Sequence, residues 1–272
     1  EEILDFLGKP KSAAWLEERT GIRGHSLNFD CSRGAKRSGQ DVFDYALAAA
    51  REAMAEAGMS GRDIDQLVFV SCTSRHFHFS SDAIQLHRML DLRPNAVVDQ
   101  IDSGCAGLAK AFQLVERYAY NRLNWTALVI GANDVSSFLD RDRYLRVPDA
   151  WLSPAMFADG AGAVVLGPGE GWRLSLIATQ CAVDGKFPLV EYAGGGTACP
   201  TREDTLDAHA YVMDSREVAR QFVPALDRVL DALTKTTTVH QDRVDRWYLH
   251  QANLRLIEYF VKKRGLAPER VP

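Results

Sequence analysis

Apolar and polar positions switch between a helical and a strand-like spacing several times along the chain, and the switches mark out the elements. The segment Asp41 to Gly58 carries the helical pattern and leads through Arg62-Asp63-Ile64-Asp65 into the apolar strand Leu67-Val68-Phe69-Val70. About 180 residues further on, the helical segment Val218 to Leu233 leads through Asp242-Arg243-Val244-Asp245 into Trp247-Tyr248-Leu249-His250, which reads as a second strand. Ile64 matches Val244, Asp65 matches Asp245, and Leu67 to Phe69 match Trp247 to Leu249. Two similar α/β halves fit this echo, and so does a chance recurrence of a common helix–strand unit. Between these segments lie the strands Ala96 to Val98, Ala127 to Ile130 and Ala163 to Leu166, and the stretch Asp140 to Pro154 reads as a loop.

Composition narrows the class. The 272 residues are 46% hydrophobic and 25% charged, enough for one large α/β domain or two packed halves. No apolar run approaches the roughly 18 residues of a membrane span, and Glu1-Glu2-Ile3 opens no signal peptide, so a cytoplasmic protein without membrane contact is expected. A net charge of -4 provides no basic stripe for nucleic acid. The five cysteines are scattered without a Cys-x-x-Cys pair, which suggests neither a disulfide framework nor a metal site. The glycines of Asp159-Gly160-Ala161-Gly162 precede a strand and do not open a helix, which argues against a dinucleotide-binding turn.

Candidate chemistry centres on two residues. Cys105 stands in Asp102-Ser103-Gly104-Cys105-Ala106-Gly107, between an apolar strand and a helical pattern carrying Leu108, Phe112, Val115 and Ala119. A thiol at a helix start sits against unpaired N–H groups, which favour the thiolate and lower its pKa. A small cysteine packed behind a strand fits the same local pattern. His250 closes the second apolar run, where sheet enzymes place their chemistry, and a core histidine bonded to a carbonyl also fits there. Together a cysteine and a histidine make the usual minimum for thiol nucleophilic catalysis.

Ser-Gly-Cys-Ala-Gly (103 to 107), Phe-Ala-Asp-Gly-Ala-Gly-Ala (157 to 163) and His-Gln-Ala-Asn-Leu-Arg (250 to 255) stand in this order in the beta-ketoacyl-acyl carrier protein synthase III family, which the chain resembles. The resemblance begins at Trp15-Leu16-Glu17-Glu18-Arg19-Thr20-Gly21-Ile22-Arg23 and spans nearly the whole chain. It implies an α/β thiolase fold: duplicated α/β halves in five layers with buried central helices, one half over residues 1–170 carrying Cys105 and one over 171–272 carrying His250. The activity it implies is acyl-thioester condensation. Cys105 takes an acyl group from coenzyme A or an acyl carrier protein, and His250 helps a decarboxylating malonyl donor attack it, with no metal or redox cofactor. An acyltransferase acting on a hydroxyl or amine is the alternative, and a non-catalytic partner subunit is disfavoured because both residues are present. The third catalytic residue of the family, an asparagine, would lie beyond Pro272, so a longer parent protein is expected.

Binding residues follow from the same resemblance. Trp15 and Arg19 correspond to a pair flanking the adenine of coenzyme A, and Asn253 to a residue beside the pantetheine arm. Arg220, Arg255, Lys262 and Lys263 match positions that dock an acidic carrier protein, although an ordinary solvated face fits them equally, and Glu258 tempers the patch. Phe79, or its neighbour Phe77, corresponds to a phenylalanine capping the partner's acyl pocket across a homodimer. Ser215, in Met213-Asp214-Ser215-Arg216-Glu217-Val218, departs from the family's glycine. The His76-Phe77-His78 entry and the long 139–154 segment also depart, which tilts the reading toward secondary metabolism.

Overall fold

The computed structural model describes residues 1–76, 79, 81–122, 124–169, 189–236 and 240–272. Two short N-terminal helices, α1 (Glu2–Phe6) and α2 (Ala13–Thr20), precede a small antiparallel hairpin of β1 (Phe29–Asp30) and β2 (Ala35–Lys36). The long helix α3 (Val42–Glu56) then leads into β3 (Gln66–Val70). Asp41 and Asp44 close a reciprocal capping box at the start of α3: Phe43 N–H donates to the Asp41 carboxylate (2.8 Å) and Asp41 N–H to Asp44 (2.9 Å).

The central sheet forms from β3, β4 (Val97–Ile101), β5 (Ala127–Asn133) and β6 (Gly160–Leu166), in the order β4-β3-β5-β6. β3 runs parallel to both neighbours, and β6 returns antiparallel on β5. Helix α4 (Ser81–Met89) connects β3 to β4, and α5 (Gly107–Ala119) connects β4 to β5. Every residue of β3 is buried because helices cover both faces, and strict alternation divides its side chains. Leu67 and Phe69 pack with Phe43, Ala46 and Leu47 of α3 and with Leu86 of α4. Val68 and Val70 pack with Ala111 and Val115 of α5.

Gly107 fixes how closely α5 approaches this sheet. A Cβ on it would lie 2.4 Å from Val70 Cγ1, well inside van der Waals contact, so only glycine lets the helix start so near β3.

The stretch expected as a loop between 140 and 154 instead holds two helices, α6 (Arg141–Arg146) and α7 (Leu152–Met156). Asp140 caps α6 by accepting from Arg143 N–H (2.9 Å). Leu139, Tyr144, Ala150 and Ala155 sink into a second core with Ile3, Leu4 and Leu16. The charges of Asp140 to Arg146 mask in sequence the single apolar face that this packing uses.

In the C-terminal part, β7 (Val190–Tyr192) pairs antiparallel with β8 (Tyr211–Met213), followed by α8 (Ser215–Thr236) and α9 (Leu254–Arg264). Val223 and Leu230 of α8 pack against Ile257, Phe260 and Val261 of α9. The helix, 3-10 turn and apolar run of the first echo recur here: Gly61–Asp63 has its counterpart in the turn Gln241–Arg243. The expected strand Trp247 to His250, however, is not formed. Among the described residues its backbone finds one partner, Trp247 N–H donating to Arg270 O (2.8 Å), and a strand needs a ladder. The anticipated boundary at residues 170 and 171 lies outside the described residues.

Candidate functional site

Cys105 lies just past the carboxyl end of β4, in a 3-10 turn spanning Gly104–Ala106 that feeds directly into α5. Gly104 takes a positive φ of 53°, which glycine adopts without the steric cost other residues meet. No side chain caps α5 at Ala106, and the first α5 amide, Gly107 N–H, donates to Gly104 O within the 3-10 turn. Lys110, one turn into the helix, donates to Ser103 Oγ (2.8 Å) and braces the elbow from the helix side. Cys105 is exposed.

The thiol is not in the low-pKa state expected at a helix start. Loss of hydration pushes Cys105 up from its ordinary value, and a hydrogen bond from its own N–H offsets this in part. Burial acts in the same direction on neighbouring groups: it raises the Asp102 carboxyl and, with Asp102 and Cys105 adding to it, lifts the Cys72 thiol to about 11. At this elbow desolvation outweighs the hydrogen bond that favours the thiolate.

His250 is exposed and makes no hydrogen bond among the described residues, to Cys105 or any other group. Protein surrounding its ring still lowers its pKa from the usual imidazole value, so the ring is neutral at neutral pH. Behind it, Trp247 and Leu249 pack on the α8–α9 core, which fixes the segment carrying the imidazole.

The structure joins two motifs that lie far apart in sequence. Asn253 caps α9, accepting from Arg255 N–H (2.9 Å) and Leu256 N–H (3.3 Å), while its amide donates to Arg19 O (3.4 Å). Arg255 Nε donates to Glu18 O (2.9 Å), and its guanidinium pairs with Glu258 (3.0 Å). Gly21, at φ 80°, leaves the space that Leu254 fills; a Cβ there would lie 2.5 Å from Leu254 Cβ. Trp15 lies on the same helix, with Arg19 5.5 Å and Lys11 5.0 Å from its ring centroid. Trp151 also packs on Trp15, at 6.3 Å between centroids. Sequence reasoning missed Trp151, because it falls in the stretch read as a loop; the apolar run Ala150-Trp151-Leu152 was the available signal.

The basic residues expected to dock a carrier are largely engaged in ion pairs. Arg220 pairs with Glu217 (2.6 Å), Arg255 with Glu258 as above, and Lys263 binds Asp227 across the α8–α9 interface, where Arg264, outside the expected set, also reaches Asp227 (2.5 Å) and Asp231 (2.8 Å). Lys262 is exposed and has no ion pair among the described residues. Phe79 is 96% exposed with a φ of 64°; Phe77 lies outside the described residues. Asp159, in the glycine-bearing motif, acts as a brace: its carboxylate accepts from Asn28 N–H (2.6 Å), Ser136 N–H (3.0 Å) and Ser136 Oγ. Among the described residues no group of three or more His, Cys, Asp or Glu could hold a metal ion, and no helix is long and apolar enough to cross a membrane.

Comparison with known proteins places this geometry. Residues 100–185 match the family model described as 3-oxoacyl-[acyl-carrier-protein (ACP)] synthase III. The beta-ketoacyl-[acyl-carrier-protein] synthase III of Rhodospirillum rubrum is 32% identical over 263 residues, covering 95% of this chain and 74% of the relative. That of Serratia proteamaculans is 31% identical, with 96% and 75% covered. Among solved structures, the 3-oxoacyl-(acyl carrier protein) synthase III of Pseudomonas aeruginosa superposes with a TM-score of 0.75 at 25% identity, covering 99% of this chain and 75% of that one. A tetronic acid condensing enzyme superposes with a TM-score of 0.82 at 23% identity, covering 99% and 79%, and shares the thiolase fold.

Proposed function

Because the chain belongs to the 3-oxoacyl-[acyl-carrier-protein] synthase III family of acyl-transferring condensing enzymes, we propose that Cys105 accepts an acyl group from a coenzyme A or carrier-protein thioester and passes it to the enolate of a decarboxylating malonyl-type donor. The observation carrying this reading is the elbow itself. It presents an exposed thiol at the carboxyl end of parallel strands, beside the uncapped start of α5. In the first half-reaction the sulfur attacks the thioester carbonyl, a new carbon–sulfur bond forms, and the donor's thiolate leaves. N–H groups at the start of α5 are suited to hold the oxyanion. Since hydration loss keeps Cys105 largely protonated, its proton must pass to a base or to the departing thiolate.

His250 serves the second half-reaction. A neutral imidazole can donate one hydrogen bond to the thioester oxygen that becomes an enolate as carbon dioxide leaves. The enolate carbon then attacks the acyl-Cys105 carbonyl, and the cysteine sulfur departs and is reprotonated. A two-fold homodimer is part of the same reading. The outer edge of β4 has no strand partner among the described residues, and Phe79 projects from the surface.

Mass spectrometry of the intact protein after incubation with a panel of acyl thioesters tests the proposal. A covalent acyl adduct is expected on the parent and none on Cys105→Ala, and an undiminished adduct on that variant refutes the assignment.

A further inference from the structure

A second thiol stands beside the nucleophile. β3 and β4 run in parallel with Val70 opposite Ile101, and Ser71 N–H continues the ladder to Ile101 O (3.2 Å). The two strands therefore deliver Cys72 and the Cys105 elbow side by side at their carboxyl ends. Alternation sets the direction. Val70 faces α5, touching the Gly107 position, and Cys72 two residues on takes the same side. The backbone of Cys72 is held from both directions: its N–H donates to Asn133 Oδ1 (2.9 Å), and its carbonyl accepts from the Tyr211 hydroxyl (2.7 Å). Gly107, two residues after Cys105, in turn packs its backbone against Val70, two residues before Cys72. Strand register and the close Val70–Gly107 approach thus set Cys72 and Cys105 on adjacent chain segments at the same end of the sheet, with the Cys72 backbone clamped.

We propose that Cys72 is a resolving thiol for Cys105, closing an intramolecular disulfide on it after the nucleophile is oxidised by a hydroperoxide. In the first step the Cys105 thiolate attacks the distal oxygen of the peroxide. A sulfur–oxygen bond forms, the oxygen–oxygen bond breaks, and the peroxide is reduced to an alcohol or water while Cys105 becomes a sulfenic acid. In the second step the Cys72 sulfur attacks the sulfenic sulfur. The disulfide bond forms, the sulfur–oxygen bond breaks, and the oxygen leaves as water with the Cys72 proton. The two thiols together lose two electrons, and the peroxide gains them. The product is inactive as an acyl acceptor but recoverable by a thiol reductant, whereas an unprotected sulfenic acid proceeds to an irreversible sulfinic acid. Cys105 is exposed and Cys72 only partly buried, so a peroxide arriving from solution meets Cys105 first and Cys72 is left to resolve it.

This inference concerns the pair of thiols and is read without any acyl-transfer assay, so it can fail while the proposed function stands, and the reverse. The full chain is exposed to hydrogen peroxide, free thiols are alkylated, and the digest is mapped without reductant. A Cys72–Cys105 linked peptide is expected, which disappears after treatment with a thiol reductant. In Cys72→Ser that peptide is lost, and Cys105 instead accumulates as a dimedone-trappable sulfenic acid and then as sulfinic acid that reductant does not reverse. Cys72→Ala serves the same purpose if the serine variant melts below the parent. Sulfinic Cys105 in the parent with Cys72 still alkylatable would overturn the proposal. So would a disulfide joining Cys105 to Cys31 or Cys199 in its place.

Discussion

Replacing Gly107 with alanine isolates the contact that sets the position of the Cys105 elbow. In an exposed helix, alanine gains about 1 kcal/mol over glycine. Here the new Cβ would lie 2.4 Å from Val70 Cγ1, where carbon atoms prefer about 3.5–4.0 Å, so more than about 1 Å of movement is required. Val70 is 8% exposed and β-branched, so its side chain has one preferred rotamer and little room to turn. Overpacking of this kind costs about 1–3 kcal/mol and here displaces the start of α5 that carries Cys105. We expect a net loss of about 1–2 kcal/mol. With a urea slope of about 2 kcal/mol per molar, the unfolding midpoint should fall by roughly half a molar or more. Alkylation of Cys105 should change in rate alongside. Val70→Ala in the Gly107→Ala background removes the clashing methyls, so the two substitutions should cost less together than the sum of their separate effects. A Gly107→Ala protein as stable as the parent, with unchanged Cys105 labelling, would refute the packing argument.

Three further outcomes follow from the same geometry. Since hydration loss raises the Cys105 pKa, its thiolate fraction is small at neutral pH; iodoacetamide labelling should keep climbing as pH rises past the ordinary cysteine value of about 8.5, and a plateau below that value would contradict the electrostatics. His250→Ala should slow condensation by roughly 10²-fold, the scale of losing one oxyanion donor, while acylation of Cys105 survives better; single-turnover assays from pre-acylated protein separate the two, and normal transfer with failed acylation would reverse the assignment. Asp159→Ala strands the donors Asn28 N–H and Ser136 Oγ, with Ser136 2% exposed, and should cost about 2–3 kcal/mol in urea unfolding; a loss under about half that would show the brace to be dispensable.

Much of the N-terminal sheet was legible in sequence because its strands are short, apolar and bounded by polar turns: Leu67 to Val70, Ala127 to Ile130 and Ala163 to Leu166 all lie within observed strands. The cysteine elbow was legible for the same reason, as the abrupt change from strand to helix spacing around Gly104. Its thiol chemistry was not. A helix start predicts a lowered pKa from the chain alone, whereas how far hydration of the sulfur is reduced depends on what packs beside the exposed elbow, which no local pattern encodes. Residues 140–154 misled in the opposite sense, since their charges hide a thin apolar face that matters only against Ile3, Leu4 and Leu16. Trp247 to His250 has the composition of a strand, yet composition supplies no partner for its backbone. The meeting of Arg19 with Asn253 is likewise invisible to any window along the chain.

That meeting has a consequence for the order in which the molecule is made. The elbow around Cys105 joins β3, β4 and α5, all within residues 66–119, so it can assemble while synthesis is still under way. The Asn253 amide reaches Arg19 O across 234 residues of chain, and Arg255 reaches Glu18 O across 237. α2 must therefore wait, with the Gly21 recess unfilled, until Leu254 has left the ribosome. A nascent chain thus holds its thiol long before the segment bearing His250 is seated, and an interrupted translation product would carry the Cys105 elbow without the α2–α9 contacts.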